Sequence, residues 1–285
     1  MVPQVKNMYQ IVEKKTISEN TKMMKIKAPL IAKKAKPGQF IILRIDEKGE
    51  RIPLTIADQD KKKGTITIIF LEIGRTTKKL GSLNTGDTIK NVAGPLGIPS
   101  DIKKYGNVIC IGGGVGIAPL YPIIKALKEK NNYIISILGA KNKKLLILEK
   151  EIKKISDELH ITTDDGSKGH HGFVSDILQQ ILNKKQKKID LVMAIGPVIM
   201  MKVISNITKK HGIKTLVSLN PIMIDGTGMC GGCRVIINGK TKFACVDGPE
   251  FDGHQVDYDN LILRNQRFIQ QEKEACKHHN ITTTT

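Results

Sequence analysis

The hydrophobic rhythm of this 285-residue chain changes once, near residue 107, and that change limits the architectures open to it. Before it, the short alternating runs KMMKIKAP, QFIILRI, RIPLTIAD, TITIIFLEI and GDTIKNVAG are separated by Gly, Pro and Asp clusters. Such spacing predicts an antiparallel sheet or small barrel. GRTTKKLGSL lacks the alternation and reads as a short helix capped by Thr76 or Thr77. From Asn107 on, the strand candidates NVICIGGG, YIISILGA, LHITTDD, LVMAIGP and TLVSLN alternate with the helical stretches APLYPIIKALKEK, LLILEKEIKKI, SDILQQILNKK and VIMMKVISNITKK. That order predicts βαβ units, a parallel sheet, and ligands at the carboxyl ends of its strands. After Asn220 come a glycine-rich loop with cysteines, a polar helix from about Asp259 to Lys277, and a frayed tail HHNITTTT. The fold class is therefore β plus α/β, with domains expected at residues 1–100, 101–220 and 221–285.

Charge narrows the function classes. Lys and Arg outnumber Asp and Glu 46 to 27, a net +19 that on its own would suggest nucleic acid or an acidic surface. The lysines, however, are scattered as doublets such as Lys14-Lys15, Lys103-Lys104 and Lys184-Lys185, while Asp247 to Asp259 holds five acids and no Lys or Arg. Aromatic residues are 4% with no Trp, so stacking platforms for single strands are scarce, and no nucleic-acid partner is expected. The uncharged stretch from Tyr105 to Ile124 is long enough to raise a membrane span, but its glycines and prolines point to a strand, a tight turn and a helix. The N-terminus lacks the apolar core of a signal peptide, and five unevenly spaced cysteines make no disulfide framework, so a reducing cytoplasm is expected.

Three motifs carry chemistry. Asp225-Gly-Thr-Gly-Met-Cys230-Gly-Gly-Cys233, with Cys245 downstream, matches the plant-type 2Fe-2S spacing except that Asp225 occupies the first cysteine position. A zinc site closed by His254, or structural cysteines in a glycine turn, are the alternatives. Gly112-Gly-Gly-Val-Gly116-Ile-Ala-Pro119 stands between a strand and a helix, where glycines let a pyrophosphate approach helix amides; tight packing alone would also demand small residues there. Arg51-Ile-Pro-Leu-Thr55 supplies an arginine fork suited to a diphosphate and a hydroxyl for a flavin ring nitrogen, or else is an edge strand that tolerates Pro53. Cys110 and Cys276 read as a core thiol and a surface thiol. The seven histidines form no hydrolase or zincin pattern.

Together the three motifs resemble the ferredoxin-NADP reductase superfamily over about residues 5 to 270. SLNPIMIDGTGMCGGCRV and FACVDGPEFDGHQVD are similar to the small subunits of NADH-dependent ferredoxin:NADP oxidoreductases and sulfide dehydrogenases within it. The resemblance implies an N-terminal FAD-binding barrel, a nicotinamide dinucleotide domain, and a terminal cluster subdomain. FAD would lie on Arg51, Pro53, Leu54 and Thr55, with Thr55 at flavin N5, and on Gly74, Thr76 and Thr77 at the pyrophosphate. NAD(P)H would lie on Gly113, Gly114, Gly116 and Pro119, with Gly196, Pro197 and Met200 on the nicotinamide side. Asp225, Cys230, Cys233 and Cys245 would hold the cluster, aspartate being the ligand that distinguishes this group from its four-cysteine relative in dihydroorotate dehydrogenase. Where the family has an arginine after the second sheet strand, Lys141 stands here with Lys143 and Lys144, which replaces a bidentate phosphate contact by single ammonium groups. The implied activity passes electrons between NAD(P)H, FAD and the cluster, in complex with a larger flavin and iron-sulfur subunit that handles ferredoxin. The electron-transfer subunit of dihydroorotate dehydrogenase is the near alternative, and a basic zinc-binding interaction protein the distant one.

Overall fold

The computed structural model describes residues 9–184 and 186–274. Strands β1 (Ile11–Ser18), β2 (Thr21–Lys27), β3 (Phe40–Arg44), β4 (Arg51–Asp60), β5 (Thr65–Leu71) and β6 (Asn91–Leu96) form an antiparallel sheet in the order β1-β2-β5-β4-β3-β6. Helices α1 (Pro29–Lys34) and α2 (Arg75–Ser82) lie in its connections. Met24, Ile26, Ile41, Leu43, Ile56, Ile66, Ile68 and Phe70 face inward as one core, as strand alternation requires. The two ends of the strand order meet at the segment leading into β6: Ile11 N–H donates to Asp87 O at 2.8 Å, and Ile89 N–H to Tyr9 O at 3.0 Å.

The second sheet comprises β7 (Asn107–Gly113), β8 (Tyr133–Ala140), β9 (Glu158–Thr163), β10 (His170–His171), β11 (Leu191–Ile195) and β12 (Thr215–Ser218), all parallel, in the order β10-β9-β8-β7-β11-β12. Its central strands are buried on both faces, which is why they read as continuous apolar runs rather than alternations. Helices α3 (Ile117–Glu129) and α4 (Glu149–Ile155) cover one face, α5 (Val174–Lys184) and α6 (Val198–Lys210) the other. Helix α3 also packs against the first sheet, since Ala57 and Ile69 share a core with Ile117, Leu120 and Ile124. The uncharged stretch 105–124 thus resolves into β7, a turn and the start of α3. Among the described residues no helix is long and apolar enough to cross a membrane.

The last third begins with the cysteine loop, then hairpin β13 (Arg234–Ile237) and β14 (Lys240–Phe243), the turn α7 (Ala244–Asp247), strand β15 (Glu250–Asp252) and helix α8 (Tyr258–Asn265). Strand β15 pairs antiparallel with β12 and so closes the nucleotide sheet with a piece of the cysteine subdomain. The same segment is tied to the exit of the first sheet: Ile98 N–H donates to Gly248 O at 2.6 Å, and the Ser100 hydroxyl to the Glu250 carboxylate.

Several expectations need correction. Strand β4 is interior to its sheet, but its first half, Arg51 to Thr55, pairs only with β3, and pairing with β5 starts at Ile56. Pro53 therefore sits where one side of the strand is locally open. Helix α2 starts from Gly74 rather than from a threonine cap. Thr77 instead reaches back one turn, its Oγ1 accepting from Gly74 N–H at 3.1 Å, and Thr76 bonds to Glu50. Leu148 at φ 54° interrupts the predicted helix from Leu145, so α4 is shorter. Helix α8 ends at Asn265 and residues 269–274 are helical again; the rest of the predicted helix, the tail and Cys276 lie outside the described residues.

Burial pushes the Glu250 carboxyl up to about 7, opposed by its bond from Ser100 and aided by nearby Asp101. A carboxyl raised in the fold holds its proton there while the unfolded chain has already lost it, so stability falls as pH rises from about 4.5 through about 7. Glu250→Gln removes that loss. Thermal melts should show the variant gaining on wild type between pH 5 and pH 8, by at most about 3 kcal/mol. Parallel pH profiles for the two proteins would contradict this.

Candidate functional site

Three segments from the three parts of the chain converge. On the first sheet, Arg51 to Thr55 run along the half-open length of β4, with Arg51 exposed. At the start of α2, a Cβ on Gly74 would meet nothing within 4 Å, so the space beside the helix start is open and packing does not require glycine there. An arginine, a hydroxyl and a helix N-terminus are thus available for an anionic ligand.

The glycine turn after β7 separates packing from ligand space. A Cβ on Gly112 would lie 2.9 Å from Ile117, on Gly113 2.5 Å from Met200 Sδ, and on Gly116 2.4 Å from Ile195 O. These glycines serve close packing of α3 and α6 on the sheet. Gly114 is different: at φ +56° it has no neighbour within 4 Å, so only its conformation demands glycine and its surroundings are open. Gly196 touches the same place, its Cβ position lying 3.1 Å from Gly113 N and 2.7 Å from Met200 Cε, and Pro197 Cδ is 3.1 Å from the Cβ position of Gly113. Gly113, Gly196, Pro197 and Met200 therefore meet at the carboxyl ends of β7 and β11, with Gly114 next to them in the chain. Pro119 is half-buried in the first turn of α3, where a proline costs no hydrogen bond. Lys141 is exposed just past the end of β8.

In the cysteine loop, the Cys233 and Cys245 sulfurs are buried and 3.2 Å apart. Burial pushes the Cys245 thiol up, and adjacent Cys233 adds to the shift, so a metal must displace protons to bind there. Cys230 is exposed. Asp225 lies beside it: its Oδ2 accepts from Cys230 N–H at 2.7 Å and its Oδ1 from Thr227 N–H at 2.8 Å. Those backbone bonds, that of Thr227 foremost, hold the Asp225 carboxyl below its usual range and keep it ionised. The donors fall into two pairs, Cys233 with Cys245 and Asp225 with Cys230, which suits a dinuclear centre taking two protein ligands per iron. Among the described residues no three His, Cys, Asp or Glu side chains meet closely enough for one ion, as a single zinc would need. His254 is engaged elsewhere, its Nε2 3.0 Å from Thr208 Oγ1. Cys110 is fully buried in the core, and burial pushes its thiol up to about 12.

The chain matches three family models: an oxidoreductase FAD-binding domain over residues 8–99, an oxidoreductase NAD-binding domain over 110–206, and the iron-sulfur cluster binding domain of dihydroorotate dehydrogenase B over 220–257. It is 50% identical to a Thermotoga maritima protein named as a homolog of the dihydroorotate dehydrogenase B (NAD(+)) electron transfer subunit, covering 93% of each chain. The chain belongs to the dihydroorotate dehydrogenase B-type electron transfer subunit family. A Methanopyrus kandleri protein described as a probable subunit of this kind is 32% identical, over 85% of this chain and 88% of its own. A chain of the solved NADH-dependent reduced ferredoxin-NADP oxidoreductase, studied for flavin-based electron bifurcation, superposes with a TM-score of 0.91 at 47% identity, covering 98% of this chain and 99% of that one. The resemblance to reductases of the ferredoxin-NADP type is borne out. As a member of the family, the chain is an oxidoreductase with FAD, nicotinamide dinucleotide and 2Fe-2S cofactors.

Sequence reasoning missed Glu250 and Ser100, since a single acid in an acidic stretch carries no pattern until burial singles it out. If Asp225 is a ligand, Asp225→Ala should lower the iron bound per chain, because it removes a donor and strands two backbone N–H groups, while Asp225→Cys should retain iron. Iron analysis of the purified variants checks this. An iron content in Asp225→Ala equal to wild type would make Asp225 a turn residue only.

Proposed function

We propose that this chain is the NAD(P)H-oxidising electron-transfer subunit of a ferredoxin:NAD(P) oxidoreductase complex, and that its electrons leave through the cysteine loop. The carrying observation is a contact at Ile42. This residue is the strand partner of Pro53, and its Cγ1 lies 2.8 Å from the Cβ position of Gly226, next to Asp225. Leu96 Cδ1 lies 2.6 Å from the same position. The loop that would hold the cluster is thus seated directly on the strand pair that would hold the flavin, and α3, which opens from the dinucleotide turn, packs on that same sheet at Ala57.

In this reading the N-terminal sheet, residues 1–100, is a closed barrel for FAD, a closure supported by the bonds from Tyr9 and Ile11 to residues 86–89. Residues 101–220 bind the dinucleotide and 221–285 the cluster. Bound FAD supplies the exchange between a hydride's electron pair and single electrons. Arg51 would neutralise its diphosphate together with the α2 amides of Thr76 and Thr77, with Gly74 leaving room for it, while Pro53 and Leu54 would wall the ring and Thr55 would offer a hydroxyl to N5. Gly114 leaves room for the NAD(P)H pyrophosphate; Gly113, Gly116 and Pro119 fix the turn. Gly196, Pro197 and Met200 line the nicotinamide side, and Lys141 meets the adenosine end. Asp225, Cys230, Cys233 and Cys245 hold the irons, the ionised carboxylate contributing one negative charge in place of a thiolate. No general acid or base is needed at the metal.

The names of the relatives describe electron transfer subunits, which supports a larger flavin and iron-sulfur partner, with ferredoxin reached through that complex in the cytoplasm. Service to a dihydroorotate dehydrogenase is the second reading, supported by the names of the relatives; Asp225 in the first ligand position favours the first.

Arg51→Ala should lose FAD while retaining iron, and Arg51→Lys should bind it partially, since charge survives but the fork does not. Flavin and iron content of the purified variants decide the matter. Full flavin in Arg51→Ala would reduce that segment of β4 to a structural strand.

A further inference from the structure

Arg264 reaches out of α8 to the backbone on both sides of Cys233. Its Nε donates to Arg234 O at 3.0 Å and its Nη2 to Gly232 O at 3.2 Å, so the two carbonyls that flank this cysteine share one guanidinium. The carbonyl of Cys233 itself accepts from Ala244 N–H at 3.1 Å, beside Cys245. Gly232 in turn sends its N–H to Cys230 Sγ at 3.4 Å. One planar fork therefore steadies the peptides that place a buried thiol and aim an amide at an exposed one.

The helix that carries the fork is anchored away from the cysteine loop. Leu261 and Tyr258 are buried, the Tyr258 and Ser205 hydroxyls lie 2.7 Å apart, and Lys202 Nζ donates to Asp259 Oδ1 at 2.6 Å, which ties α8 to α6. The segment that matches the cluster binding domain ends at residue 257, so Arg264 enters from beyond it.

Its hydrogen bonds go to neutral carbonyls and leave its charge uncompensated. Burial holds the guanidinium below its usual range, Arg267 and Arg234 add to that, and Cys233, as a thiolate, opposes it; among the described residues no carboxylate joins them. The group still keeps its proton at neutral pH. Like charges on either side make that arrangement costly unless an anion is near. A 2Fe-2S core with four anionic protein ligands is such an anion. Reduction adds one electron to it and no proton, so a fixed cation nearby stabilises the reduced form more than the oxidised one.

We propose that Arg264 is a positioning residue for the cluster: it holds Cys233 through the two flanking carbonyls, and its charge raises the cluster's reduction potential, which makes the cluster a better acceptor of single electrons from the flavin. This rests on the iron-sulfur reading of the cysteine loop.

The test uses the full chain loaded with flavin and cluster, and reads the cluster midpoint by redox titration followed by paramagnetic resonance. Arg264→Gln keeps a donor for one carbonyl but no charge; the equilibrium constant for cluster reduction should fall about tenfold, a midpoint about 59 mV lower for a one-electron couple. Arg264→Lys keeps the charge without the fork and should return the midpoint most of the way to wild type. An unchanged midpoint in Arg264→Gln, or an equal fall in Arg264→Lys, would overturn the proposal. If Arg264→Gln holds no iron, Arg264→Lys decides instead: iron restored by the charged side chain supports the proposal, and iron absent from both reduces Arg264 to a structural clip and overturns it. Wild type checks the reading underneath. Without a 2Fe-2S signal in the reduced wild-type chain that reading falls and takes the proposal with it, whereas a wild-type signal with the wrong response in the variants sinks the proposal alone.

Discussion

The two sheets and the cysteine loop are held together through one short segment, Gly248 to Asp252. Its carbonyl at Gly248 accepts from Ile98, where the chain leaves the first sheet, and its Pro249 carbonyl accepts from Leu219 N–H at 2.9 Å, at the end of the last parallel strand. Glu250 and its neighbours then add as an antiparallel edge to the nucleotide sheet. Because Cys245 precedes this segment by a few residues, the cysteine loop is fixed against both sheets by backbone hydrogen bonds rather than by its own small hairpin. A Cβ at Gly97 would lie 3.0 Å from Pro249, so the crossing is close enough to demand a glycine, here at φ +79°.

That crossing explains how a chain with ordinary globular composition can position redox groups with so few dedicated polar side chains. Cofactors of this kind carry their own reactivity, and the protein contributes proximity, open space and a few charges. The glycines show the division of labour. Gly112, Gly113 and Gly116 let helices approach the sheet, while Gly74 and Gly114 border space that no protein atom fills. The same economy appears at Asp225, where one carboxylate organises its loop through two backbone N–H groups and remains charged.

Much of this was legible in the sequence because its determinants are local. The switch near residue 107 from short runs broken by Gly, Pro and Asp to strands alternating with helical stretches reported the change from an antiparallel sheet to a parallel one. The cysteine loop stood out in the sequence because Asp225, Cys230 and Cys233 lie within nine residues of one loop, and the segment 220–257 matches an iron-sulfur cluster binding domain. What was not legible depended on distant partners. Strand β15 is three residues long, and only its pairing with Leu216 to Ser218 makes it a strand. Pro53 suggested a sheet edge, whereas the strand is interior and merely loses one neighbour over half its length. Gly74 rather than Thr76 or Thr77 begins α2, because a threonine in the first turn can reach back to the same amide. Glu250 stands out among the acids of its stretch only through burial, which is a property of the fold.

The central claim is that one chain carries electrons from a dinucleotide to an iron-sulfur cluster through a flavin seated between them. Anaerobic mixing of the cofactor-loaded chain with NADH, followed by flavin absorbance and low-temperature paramagnetic resonance, tests it most directly. The account predicts bleaching of the flavin together with the signal of a reduced 2Fe-2S cluster in the same sample. Flavin bleaching with a cluster that a chemical reductant can reduce but NADH cannot would contradict it.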